Sequence, residues 1–207
     1  MRAIETLQSV DLIACEDTRH SMKLLQAYDI RKPLQSLHEH NEARRSGALI
    51  DILSEGRNVA LISDAGTPLI SDPGYRLVRA VLDAGLEVES IPGPCAAINA
   101  LAASGLPTDS FYFIGFLPPK SAARRRRFEA LKDFPDTLIF YESPHRIQKF
   151  LEEAYEVLGS RPLVLAREMT KKFEECYRGS LLPKVEEYPL RSWKGEFVVL
   201  LAGAEGG

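Results

Sequence analysis

Short apolar runs alternate along the chain with apolar positions at helical spacing. Val10 to Cys15, Leu34 to Leu37, Asn58 to Ile62 and Leu86 to Ile91 are runs of strand length. Ser21 to Tyr28 and Asn41 to Ser54 read as helices between them, the second closed by Gly56 where a left-handed cap is usual. Asp72-Pro73 opens a further helix that sets Leu77, Val78, Val81 and Leu82 on one face and ends at Gly85. Strand and helix in alternation predict an α/β chain whose first part pairs largely in parallel.

The pattern breaks at Ser104-Gly105-Leu106-Pro107-Thr108-Asp109, which places a domain boundary there and gives domains 1–107 and 108–207. Beyond it, Phe111 to Phe116, Leu138 to Tyr141, Leu163 to Arg167 and Phe197 to Leu201 predict a second, mixed sheet. Ser121 to Lys132 and Arg146 to Leu158 are the helices between these strands. The second carries Ile147, Phe150, Leu151 and Ala154 at helical spacing.

Composition narrows the picture by exclusion. With 207 residues and 45% hydrophobic content the chain can bury a full core. No run approaches the ~18 apolar residues of a membrane span. Met1-Arg2-Ala3-Ile4-Glu5 carries no apolar signal region, so a cytoplasmic location is expected. Cys15, Cys95 and Cys176 are too scattered for a disulfide framework or a metal knuckle, and His38 and His40, near Glu39 and Glu42, lack the spacing of a zinc site. No metal is expected. A G-x-G-x-x-G turn and a phosphate-binding P-loop are both missing. The net charge of −3 means that any nucleic-acid contact must come from a local basic surface.

The candidate chemistry lies on two loops that follow strand-like runs. Ser63-Asp64-Ala65-Gly66-Thr67-Pro68-Leu69-Ile70-Ser71-Asp72-Pro73-Gly74 combines small residues, a hydroxyl and a turn-fixing proline, which suits a small polar ligand at a strand's carboxyl end. Pro92-Gly93-Pro94-Cys95-Ala96-Ala97 then opens a helix of small residues, again as close backbone approach to a ligand requires.

In this order the two loops resemble the tetrapyrrole methylase family, whose members use S-adenosylmethionine (SAM) on a fold unlike the commoner methyltransferases. Further blocks resemble the branch of that family that methylates the 2′-hydroxyl of a cytidine in small-subunit ribosomal RNA. They are Glu16-Asp17-Thr18-Arg19-His20, Leu37-His38-Glu39-His40-Asn41-Glu42, Gly105-Leu106-Pro107, Gly115-Phe116-Leu117-Pro118, Tyr141-Glu142-Ser143-Pro144-His145-Arg146 and Ala166-Arg167-Glu168-Met169-Thr170-Lys171. The resemblance implies a two-domain α/β fold with a mostly parallel N-terminal sheet, a mixed C-terminal sheet and a cofactor cleft between the domains. It also implies a homodimer.

Carried over position by position, the resemblance assigns Ala65, Gly66, Thr67 and Ile70 to the first cofactor loop and Cys95 and Ala96 to the second. Tyr141 and Glu142 end a pocket-lining strand, while Gly195 and Glu196 belong to a segment closing on the adenine. Glu142, Glu168 and Lys171 are the candidates to take up a hydroxyl proton or stabilise charge. Each is equally an ion-pair partner, Glu142 with Arg146 and Glu168 with Lys171 or Arg167.

For an RNA partner the densest basic run is Lys120 with Arg124, Arg125, Arg126 and Arg127, and Arg19, Arg44, Arg45 and Arg146 extend it. Four consecutive arginines on a helix cannot share one face, so at least one should turn inward, toward an acid such as Glu129. The alternatives are a tetrapyrrole or diphthine-type protein methylase of the same fold, or a non-catalytic ribosome-binding remnant. Members of the family begin with a strand and a Gly-containing loop, and Met1 stands about where the following helix should start. On that ground a version extended by that strand and loop is expected to be more active than the chain as it stands.

Overall fold

The computed structural model describes residues 1–204. The chain divides into two compact units, Met1–Cys95 and the part from Ala96 onward.

The first unit is built around three strands, β1 (Leu12–Cys15), β2 (Leu34–Ser36) and β3 (Val59–Ile62), paired in parallel in the order β2-β1-β3. Four helices accompany them: α1 (Arg2–Ser9), α2 (Thr18–Ala27), α3 (Glu42–Ser54) and α4 (Tyr75–Asp83). All of β1 is buried because it is covered on both faces, as a central parallel strand requires. Leu12 and Ala14 join Leu37, Leu49, Leu77 and Val81 in one core. Ile13, pointing the other way by the two-residue period of a strand, joins Val10, Leu25 and Ile30 in a second.

A buried carboxylate joins two of these helices. Glu42, at the start of α3, accepts the backbone N–H groups of Gly74 and Leu77, both at 3.1 Å, and so caps the first turn of α4. Gly74 permits this close packing, since its φ is +128° and a Cβ there would fall 2.7 Å from Leu61 Cδ2. The helix starts at Tyr75, later than the Asp72-Pro73 start read from the sequence.

Leu86 to Ile91 is not a strand, contrary to the sequence pattern. Its apolar positions alternate with Glu87 and Glu89, none of its residues is buried and Val88 is 46% exposed. It pairs with no strand of the sheet, whose order ends at β3.

In the second unit a short helix, α5 (Ala96–Ala102), precedes strands β4 (Phe111–Phe116), β5 (Thr137–Glu142), β6 (Pro162–Arg167), β7 (Glu175–Ser180) and β8 (Phe197–Leu201). Their order is β4-β5-β8-β6-β7, with β4 and β5 parallel and the remaining pairs antiparallel. A parallel first sheet and a mixed second one are what the sequence led us to expect. Strand β7 has no such forecast: Glu175-Cys176-Tyr177-Arg178-Gly179-Ser180 is polar and mostly exposed, as an edge strand can be.

Helices α6 (Ser121–Leu131) and α7 (Ile147–Leu158) complete the unit. Phe128 of α6, Phe140 of β5 and Phe150 of α7 meet edge to face with ring centroids 5.1–6.2 Å apart, all three without solvent exposure. Burying each ring contributes about 1.5–3 kcal/mol, which fixes both helices and the end of β5 that carries Tyr141 and Glu142.

Candidate functional site

The two loops singled out in the sequence are hydrogen-bonded to each other. Thr67 Oγ1 donates to the carbonyl of Pro94 at 2.8 Å, while Ser63 Oγ donates to the carbonyls of Ala65 and Gly66 at 3.2 and 3.1 Å. The first loop needs left-handed backbone at Gly66 (φ +78°), Leu69 (+73°), Ser71 (+64°) and Gly74. Strain of this kind, about 1–3 kcal/mol at each non-glycine position, persists only where the surroundings over-determine it. Asp64, Ala65, Gly66 and Ile70 lie at the surface, and Cys95 and Ala96 are half-buried. A Cβ added at Gly66 would have only the Pro94 carbonyl oxygen within 4 Å, at 3.7 Å, so the loop leaves open space on its exposed side.

Carboxylates gather at the carboxyl ends of β1 and β3. Asp17 caps α2 by accepting the Arg19 N–H at 2.8 Å, and its own N–H donates to Asp64 at 3.3 Å. Burial, reinforced by Asp64 and Asp72, raises the pKa of Glu16. Arg19 is exposed and paired with Asp17 at 3.1 Å.

In the second unit, Tyr141 stacks edge to face with Phe113 and Phe116, and its hydroxyl accepts the Ala97 N–H at 3.1 Å, tying β5 to the start of α5. Glu142 is sealed from solvent. Its carboxylate accepts from the Ser143 N–H at 2.8 Å and from Arg146 at 3.1 Å, and burial outweighs both in pushing its pKa up. Arg146 donates also to the Leu117 carbonyl at 2.6 Å, so the pair fastens the turn before α7 to the loop after β4.

Glu168 and Lys171 do come together, on the tight loop that follows β6. Glu168 has φ +50° and Thr170 φ +64°. The Glu168 carboxylate accepts the Glu196 N–H at 2.9 Å and the Lys171 ammonium at 3.0 Å, in that order of influence, and both hold its pKa below the ordinary carboxylate range. Lys171 also reaches the Glu196 carboxylate at 2.8 Å, and the two acids raise its pKa, keeping it protonated. Gly195 allows this packing: its φ is +97° and a Cβ there would lie 2.7 Å from Glu168 Cδ.

The arginine run separates as the helical period requires, with one change of partner. Arg124 is 2% exposed and donates to Glu153 at 2.6 Å, with Ser121 on the other carboxylate oxygen, also at 2.6 Å, so its inward partner is Glu153 and not Glu129. Its guanidinium is therefore withdrawn from any phosphate. Arg125 pairs with Glu156 at 2.5 Å. Lys120 and Arg126 are exposed and Arg127 half-buried, none with a carboxylate partner among the described residues. Glu153 and Glu175, acids that hold the framework, carried no signal in the sequence beyond their charge, and Glu42 was marked only as part of the Leu37-to-Glu42 block.

Among the described residues no group of three or more His, Cys, Asp or Glu side chains is arranged to hold a metal ion. No helix there is long and apolar enough to cross a membrane.

The fold is that of a class of methylases. Similar solved structures are the methyltransferase CobJ (TM-score 0.68, 22% identity, 98% of this chain and 87% of that one) and a uroporphyrin-III-C-methyltransferase from Thermus thermophilus (TM-score 0.62, 23% identity, 99% and 87%). The profile of the family described as Tetrapyrrole (Corrin/Porphyrin) Methylases matches residues 1–182. Much nearer in sequence are proteins named ribosomal RNA small subunit methyltransferase I. That of Escherichia coli O157:H7 is 53% identical over 98% of this chain and 72% of its own length, and that of Pseudomonas aeruginosa 50% identical over 98% and 73%. The chain belongs to the tetrapyrrole methylase family, within the ribosomal RNA small subunit methyltransferase I group.

Proposed function

We propose that the chain transfers a methyl group from SAM to the 2′-hydroxyl of a cytidine in small-subunit ribosomal RNA. The observation that carries this reading is the joining of two small-residue loops by the Thr67–Pro94 hydrogen bond, in a chain about half identical to rRNA methyltransferases. The open space beside Gly66 and the exposed Ala65 suit a ligand lying against the backbone. Ala65, Gly66, Thr67, Ile70, Cys95 and Ala96 would hold the cofactor, and the family resemblance adds Tyr141, Gly195 and Glu196. Bound SAM supplies an electrophilic methyl group on a sulfonium.

The residues divide the remaining work. Glu142 has no exposed surface, and both of its oxygens are engaged, so it acts through Arg146 as a positioning residue. Lys171, always protonated, places a positive charge where a ribose oxygen loses its proton or a neighbouring phosphate sits. Glu168 fixes that ammonium together with Glu196 and is the candidate acceptor for the proton. With its pKa lowered it is a weak base, so orientation contributes more than proton removal. Lys120, Arg125, Arg126 and Arg127 would meet RNA phosphates, leaving Arg124 and Arg146 structural. A homodimer and a cytoplasmic location complete the reading.

The test is transfer of labelled methyl from SAM to under-methylated small ribosomal subunits, followed by mapping of the product. A 2′-O-methylcytidine is expected. Methylation confined to a base, or SAM binding with transfer only to tetrapyrroles, would overturn the reading.

A further inference from the structure

Beside the Glu168–Lys171 pair the second unit carries an aromatic ring that the reading above does not use. Phe173 is 64% exposed at the tip of the loop between β6 and β7. That loop is rigid by construction. Lys171 N–H donates to the Glu168 carbonyl at 3.0 Å, Glu174 N–H to the Lys171 carbonyl at 3.1 Å, and Thr170 N–H to the Glu174 carboxylate at 2.7 Å. The ring is thus presented on a fixed support.

Its surroundings point to the chemistry of a partner. The ring borders a groove of about 720 Å³ whose lining includes Lys172, Cys176, Pro189, Arg191 and Ser192. Lys172 lies over the ring with its ammonium 5.7 Å from the centroid. The groove's acids are committed to the frame: Glu175 accepts from Arg167 at 3.0 Å and from the Arg191 N–H at 2.9 Å, and Glu174 closes the loop. Lys172 and Arg191 side chains have no carboxylate partner among the described residues. An exposed aromatic ring flanked by cations that have no carboxylate partner is what binds single-stranded nucleic acid, by base stacking and phosphate neutralisation.

We propose that Phe173 is a stacking platform for an unpaired RNA base next to the methylated nucleotide, with Lys172 and Arg191 on the adjoining phosphates. This rests on the reading of the chain as an RNA methyltransferase and adds a contact that splays the strand beside Lys171. Arg126 and the rest of the α6 surface are a separate contact, made to phosphate alone.

The experiment uses the full chain and a short single-stranded RNA with one 2-aminopurine, whose fluorescence falls on stacking. Phe173→Leu should weaken binding by about 5- to 150-fold and remove the quenching, whereas Phe173→Trp should restore both. Lys172→Gln with Arg191→Gln should reduce the salt slope by about 1.4 while leaving SAM affinity unchanged. Leucine binding as well as phenylalanine, or a change only in self-association by sedimentation, would overturn the proposal. Failure of the function itself reads differently: wild-type chain that transfers no methyl to small ribosomal subunits refutes that reading, whether or not Phe173 stacks a base.

Discussion

Replacing Gly195 by alanine should damage the Glu168–Lys171 site more than any removal of a surface charge. The added Cβ would fall on the Glu168 side chain, 2.8 Å from Oε1, and the backbone at φ +97° is one that alanine adopts only under strain. Strain at such a position costs about 1–3 kcal/mol. Displacing the carboxylate also loses its bond from the Glu196 N–H, a charge-assisted contact worth about 1.5–3 kcal/mol. The Lys171 contact adds at most ~1 kcal/mol, because that ammonium is 45% exposed. With partial relaxation the total is about 2–5 kcal/mol, and at about 2–4 °C per kcal/mol for a chain of this size the melting temperature should fall by about 4–20 °C.

The pH dependence distinguishes this cause from simple backbone strain. Glu168 has a lowered pKa in the folded protein, so its contribution is complete above the unfolded carboxylate pKa and lost as pH falls through the folded value. The stability gap between wild type and Gly195→Ala should therefore be widest near neutrality and narrow below about pH 4.3. Denaturant titrations at several pH values measure it. A gap that stays constant from neutral to acid pH would show that Glu168 is not displaced and that the strain alone acts.

Other perturbations separate framework from function. Gly66→Val places its Cβ 3.7 Å from the nearest atom but at φ +78°, so it should cost about 1–3 kcal/mol of strain and still fold, yet abolish calorimetric SAM binding; unchanged affinity of the folded variant would remove the cofactor loop from the site. Glu42→Ala leaves two helix N–H groups without an acceptor and should cost about 2–4 kcal/mol in denaturant unfolding, with no change in SAM affinity of the folded fraction. Arg124→Met should destabilise by about 3–5 kcal/mol by stranding the Glu153 charge, and Arg124→Met with Glu153→Leu should recover much of it. Arg126→Gln with Arg127→Gln should instead leave the melting temperature unmoved and lower the salt slope of ribosomal RNA binding by about 1.4–1.8.

The parts of the fold legible in the sequence are those where one periodicity had one interpretation. The β1 run and the Ile147, Phe150, Leu151, Ala154 stripe are buried as their spacing requires. Leu86 to Ile91 shows the limit of that rule: alternation of apolar and acidic residues satisfies the strand pattern, but a ladder needs a hydrogen-bonded neighbour, and among the described residues it has none. Edge strand β7 failed in the opposite sense, since its pairing with β6 asks nothing apolar of Cys176 or Arg178. For the candidate site, loop composition marked Gly66 and Thr67, whereas the Thr67 bond to Pro94 depends on a contact 27 residues away that no local pattern encodes.

Charge was the least legible property, for a physical reason. A run of arginines advertises a phosphate surface only if each guanidinium stays in water, and on α6 the 100° step per residue sends Arg124 beneath the helix and Arg126 outward. Once buried, Arg124 must find a carboxylate, because an unpaired charge there would cost several kcal/mol, and Glu153 on α7 supplies it. The same constraint acts on Glu142, Glu168 and Lys171, which were indistinguishable as candidates. Burial made Glu142 a fastener with a raised pKa, whereas the Glu196 and Glu168 carboxylates keep Lys171 protonated and its partial exposure leaves it accessible. Exposure therefore sorts these charges by role: those sealed from water hold the frame, and those that keep a face to water are free to meet a substrate.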